Sequence, residues 1–149
     1  MANSVTSTIL VDGPKHCVVR FEGVLDTSDL ASTTVVDPAT LSPIDPATGA
    51  LPTRLTLQKI TQYTIEDLLS VNLFWDATTP VRLEELVGRG KADYHRFGGI
   101  KNTAGTYASS GVFTPAAGFT GKVTATTQGW GAGTSPLSFA LVLEFTKSL

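Results

Sequence analysis

The sequence predicts an all-β fold: an antiparallel β-sandwich of jelly-roll-like type, with about eight strands and two long loops. Three observations predict it. First, β-branched and aromatic residues recur at period two in many short segments; in residues 138–145, Phe139, Leu141, Leu143 and Phe145 fall on one face and Ser138, Ala140, Val142 and Glu144 on the other. Side chains alternate across a strand, so such a segment offers one face to a core and the other to a second surface. Second, turn-forming Gly, Pro, Asn and Asp separate these segments. Third, charged residues are 16% of the 149, and much of the polar remainder is Thr, Ser and Gly. That mix suits strands and turns and is poor for helices.

Taken in order, residues 5–11 alternate apolar and hydroxyl side chains and read as a strand, closed by the turn Asp12-Gly13-Pro14. Residues 15–25 form the next strand, with Cys17, Val19, Phe21 and Leu25 on one face and His16, Arg20 and Glu22 opposite. Together they predict a first hairpin. Residues 54–65 read as a strand whose apolar phase slips from Leu55 and Leu57 to Ile60, which a β-bulge explains. Residues 66–70 suggest one helical turn. Leu69, Val71, Leu73 and Trp75 then alternate as a strand, and residues 81–87 form another with a slipped phase around Glu84 and Glu85. A short strand is expected over 93–97. Residues 121–128 and 136–147 read as a closing hairpin around the glycine-rich turn 129–135.

Two stretches resist this pattern. Residues 26–53 are polar and punctuated by proline, with Asp37-Pro38-Ala39-Thr40 repeated as Asp45-Pro46-Ala47-Thr48. Each Asp-Pro favours a turn. The stretch also carries Leu30, Val35, Val36, Leu41, Ile44 and Leu51, more apolar residues than a linker needs. It reads as an arm that orders against a neighbouring subunit or another surface of the assembly it belongs to. Residues 98–120 form the second loop, in which Tyr107, Phe113 and Phe119 are spaced to pin it to the core.

Length and composition bound the function. One domain over residues 1–149 is expected, with 26–53 an arm within it. The net charge of −2 gives no footprint for nucleic acid or an anionic membrane. The single cysteine excludes an intrachain disulfide and a multi-cysteine zinc site. Residues 1–8 do not read as a signal peptide, and no apolar run reaches membrane-spanning length.

The search for chemistry ends without a catalytic, cofactor or metal site. His16 and Cys17 are adjacent on a strand and point apart, so they cannot pair as base and nucleophile. His95 is the only other histidine, and no Gly-x-Ser-x-Gly elbow is present. Asp26 and Asp29 lack the further ligands of a calcium loop. Gly88-Arg89-Gly90-Lys91 lacks the Walker spacing and reads as a basic turn. With Arg82 and Arg96 it concentrates positive charge that suits an acidic partner surface. Trp130, set between glycines in a turn, is a better candidate for stacking on a ligand than Trp75, which continues an apolar strand face.

Several segments together resemble a small virion structural protein of tailed bacteriophages. They are residues 9–14 (Ile-Leu-Val-Asp-Gly-Pro), 24–28 (Val-Leu-Asp-Thr-Ser), 36–40 (Val-Asp-Pro-Ala-Thr), 73–80 (Leu-Phe-Trp-Asp-Ala-Thr-Thr-Pro), 88–91, Gly129-Trp130 and 141–147 (Leu-Val-Leu-Glu-Phe-Thr-Lys). The resemblance implies a β-sandwich that decorates or cements a capsid, often as a homotrimer, bound to the major capsid protein or another virion protein. It implies no catalytic residues, a place in the virion, and synthesis in the bacterial host cytoplasm. On this reading Leu30, Val35, Val36, Leu41, Ile44, Arg89, Lys91 and Trp130 are the interface residues. The alternative is a tail or fibre accessory module that binds carbohydrate, with Trp75, Tyr107 and Trp130 as stacking residues. An enzyme resting on His95 is the third class.

Overall fold

The computed structural model describes residues 3–131 and 136–149. Two antiparallel sheets pack on each other. The first holds β1 (Ser4–Asp12), β2 (His16–Leu25), β12 (Leu137–Ser148), β4 (Arg54–Ile65) and β7 (Arg89–Asp93), in that order across the sheet, with β8 (Ile100–Lys101) also on β4. The second holds β3 (Thr33–Val36), β11 (Val123–Gln128), β5 (Ser70–Trp75) and β6 (Val81–Val87). A small hairpin of β9 (Gly105–Tyr107) and β10 (Phe113–Pro115) stands outside both. Eight strands, in the orders β2-β12-β4-β7 and β3-β11-β5-β6, make the jelly roll. Among these eight, successive strands cross from one sheet to the other except at β5–β6, which form a hairpin.

The alternation read from the sequence is what fills the space between the sheets. Cys17, Val19, Phe21 and Leu25 from β2 meet Phe139, Leu141, Leu143 and Phe145 from β12, and all are buried. Val71, Leu73 and Trp75 from β5 and Val123 and Ala125 from β11 close the core from the other side. The slipped phases are bulges. Along β4, Val142 pairs with Gln62 but Leu143 with Ile60, and Glu144 pairs with Lys59 but Phe145 with Leu57. Thr61 and Gln58 are therefore extra residues, which is how both Leu57 and Ile60 reach the core. In β6 the extra residue is Leu83, between the partners of Leu73 and Phe74.

Five expectations are corrected. Residues 121–128 and 136–147 do not form a hairpin: β11 lies between β3 and β5, and β12 between β2 and β4, in opposite sheets. Period two reveals which face a strand buries and says nothing of which neighbour it bonds. Part of the turn expected over 129–135, residues 132–135, lies outside the described residues. In the stretch 66–70 there is no helix: residues 66–69 form a tight turn, with Leu68 in the left-handed region at φ 75, and Ser70 opens β5. The strand expected over 93–97 lies earlier, at Arg89–Asp93; a 3₁₀ turn, His95–Phe97, follows, its start fixed by the His95 N–H donating to Asp93 Oδ1 at 2.9 Å. The second loop carries β8, β9 and β10.

The fifth correction concerns residues 26–53. They are no surface arm throughout. β3 pairs with β11, and a 3₁₀ turn at Pro38–Thr40 is capped by the Asp37 side chain, which accepts from the Ala39 N–H at 3.0 Å. Val35, Val36 and Leu41 are buried in this chain's own core. The aromatics of the second loop do bind it to the body: Phe113 stacks between Tyr107 and Phe119, at 4.9 and 5.2 Å, and Phe119 packs on the core. The Arg54 guanidinium lies 4.7 Å from the Phe113 ring centroid.

Deletion of residues 33–50 is therefore expected to remove the edge strand of the second sheet and abolish cooperative unfolding. The milder Leu41→Ala should cost about 2–5 kcal/mol in urea denaturation. A deletion variant that melts like the full chain would show that β3 and Leu41 are dispensable.

Candidate functional site

The loops sort to two ends. At one end the β4–β5 turn packs on Gly129, whose φ is 106 and where a Cβ would collide with the Leu68 carbonyl. The β6–β7 turn joins it through the Ile65 N–H, which donates to Gly88 O at 2.8 Å. At the other end the Asp12 turn meets Ser42, and the Thr78 N–H donates to Ala117 O at 3.0 Å.

The eight residues predicted to form an interface are scattered over this frame. Leu30 and Trp130 come together: the Trp130 N–H donates to Asp29 Oδ1 at 3.1 Å, Thr127 Oγ1 donates to the same oxygen, and the Leu30 N–H donates to Thr127 Oγ1 at 2.7 Å. Both side chains are half-buried against the core, and the Trp130 indole nitrogen is buried with no hydrogen-bond partner among the described residues. Ile44 lies at the opposite end, where its N–H donates to Ala50 O at 2.8 Å and closes a small turn. Val35, Val36 and Leu41, being internal, present no surface to a partner. Arg89 and Lys91 are exposed on β7, an edge strand. Charged side chains on an edge also keep it from pairing with foreign strands. Among the stacking residues, Trp75 is wholly internal, and Tyr107 is held beside Arg54 and Lys101.

Four titratable groups are displaced from their ordinary range, and each is engaged in local structure. Burial pushes the Cys17 thiol up to about 11, so it is an inert core residue. Burial and the 2.7 Å hydrogen bond to Glu84 Oε2 both raise the Tyr94 phenol. The His95 N–H holds the Asp93 carboxyl down. The fourth is a clasp that sequence reasoning missed. Lys147, whose side chain is 0% exposed, places Nζ 2.6 Å from Asp12 Oδ1 and 3.0 Å from Ser42 O. The Ser42 N–H donates to both Asp12 oxygens, at 3.1 and 2.9 Å. Burial pulls the Asp12 carboxyl upward, but the Lys147 and Ser42 hydrogen bonds outweigh it and hold it below the usual value. The clasp ties β1, the β3–β4 connection and β12 together. Lys147 falls on the core-facing phase of β12, two residues beyond Phe145, so alternation places it inside; nothing in the sequence names Asp12 as its partner.

Among the described residues no three His, Cys, Asp or Glu side chains come together as a metal site, and no helix is long and apolar enough to cross a membrane. Compared with known proteins, the chain matches no family model, no curated protein and no solved structure.

The clasp gives a signed pH dependence. A carboxyl lowered by folding adds stability above its unfolded pKa of about 4 and loses it as pH falls through the lower folded value. Asp12→Asn should destabilise the fold by about 2 kcal/mol at neutral pH, since the Lys147 ammonium loses its counter-charge. Urea titrations should show the two chains converging below about pH 4. Equal stability at pH 7 would mean the clasp contributes nothing.

Proposed function

We propose that this chain is a structural virion protein of a tailed bacteriophage, a capsid decoration protein that acts through contacts between its own copies and with the shell. The observation that carries the reading is how the molecule's chemistry is used. Its interior is filled by side chains of both sheets, and its displaced titratable groups each serve a local bond or the core. What the fold leaves to act with is surface: edge strands, turns and exposed apolar side chains. The segments that resemble phage virion proteins run along the chain from β1 to β12 and include strands and turns alike. The homotrimer that the resemblance implies is one closed assembly of such a protein.

The interface shifts from the residues first singled out. Leu30, Trp130, Arg89 and Lys91 stay on it, with Ile44 at the opposite end. Val35, Val36 and Leu41 leave it because they are internal.

The test is location. Gold-labelled antibody against the purified chain should decorate intact particles on the head at regular spacing. Particles free of label, with the chain found only in the lysate, would overturn the reading.

A further inference from the structure

The sheet edges are guarded unequally. β7 is five residues long and carries Arg89, Lys91 and Asp93. β6 carries Arg82, Glu84 and Glu85 and is interrupted by a bulge. β3 has four residues. Short length, charge and bulges are the devices by which edge strands avoid pairing with foreign strands. β1 uses less of them. It runs nine residues with no charge or proline before Asp12, and Ile9, Leu10 and Val11 are 42%, 49% and 45% exposed. It ladders only with β2, which leaves the outward-pointing N–H and C=O groups of alternate residues without a backbone partner among the described residues. Its one irregularity lies between Ile9 and Val11, so the stretch up to Ile9 pairs in regular register.

That regular run is complementary to itself. Place a second copy antiparallel, with the two-fold axis at Ser7. Val5 then faces the other copy's Ile9 on the core side, Thr6 faces Thr8 on the outer side, and Ser7 faces Ser7. Apolar side chains meet apolar ones, Thr6 and Thr8 hydroxyls meet each other, the Ser7 hydroxyl keeps its bond to Val35 O of its own chain beside the axis, and no like charges oppose. Shifting the register by one residue at one copy would set Ile9 against a hydroxyl. The occupant that this pattern and charge fit is a second β1.

We propose that two copies of the chain join edge to edge through β1, making one continuous sheet across a two-fold axis at Ser7. The contact is isologous and closes at two copies. It stands independently of the virion reading, and it gives two-fold closure in place of the three-fold assembly that the resemblance implies.

The experiment is light scattering and sedimentation of the purified chain, with two variants. The wild type should have twice the 15.7 kDa monomer mass. Ile9→Lys should be monomeric with an unchanged far-UV spectrum; should it unfold, the outer-face Thr8→Lys carries the same test. Ser7→Cys should cross-link to a dimer under mild oxidation or with a short bis-thiol reagent, because the natural cysteine, Cys17, is buried. A monomeric wild type overturns the proposal. So does a trimer whose Ser7→Cys form does not cross-link, which would leave a three-fold assembly standing. Unlabelled particles would overturn the virion reading without touching the β1 contact.

Discussion

The first sheet depends on the two ladders of β12. From Leu137 to Thr146 it pairs with β2, and from Phe139 to Ser148 with β4. Strict alternation along its twelve residues lets one strand satisfy two neighbours and still deliver Leu137, Phe139, Leu141, Leu143 and Phe145 to the core. Without it, β1–β2 and β4–β7 would be separate ribbons, each too small to bury its apolar face. The bulges at Gln58 and Thr61 are adjustments of β4 to this straight partner. Gln58, the extra residue, is buried beneath the turn at Gly98 and satisfied there by donating to Thr146 Oγ1 and Gly98 O, at 3.0 and 3.2 Å.

Much of this was legible in the residues. The β1–β2 hairpin, the bulged β4, the alternating β5 and β12 and the inert Cys17 follow from periodicity and turn chemistry. Partnership did not follow, because period two fixes faces and leaves neighbours open; hence β11 and β12 looked like a hairpin although each is central to a different sheet. β3 was hidden for a related reason. Four residues flanked by turn formers carry too little pattern to stand out, and Thr33–Val36 is a strand because β11 offers an edge to it.

The candidate surface was less legible than the fold. Apolar residues in a proline-punctuated stretch suit an arm and a core lining equally well, and burial alone separates Val35, Val36 and Leu41 from Leu30 and Ile44. The Asp12–Lys147 clasp joins residues 135 apart in sequence, and long-range ion pairs leave no local signature. The meaning of β1 was also out of reach, because its lack of charge becomes informative only beside the charged β6 and β7 edges.

The position of β12 also governs how the chain reaches its fold. The strand latest in sequence must enter between β2 and β4, whose own residues lie far upstream. Pairings of such long sequence separation carry a large loop-closure entropy and form slowly. Until they form, the apolar faces of β2 and β4 have no shared sheet to bury them, and β1 is exposed on a lone hairpin. The interval before β12 inserts is thus when this chain is most open to aggregation. Concentration and temperature during synthesis would then set its yield more strongly than the equilibrium stability of the finished sandwich does.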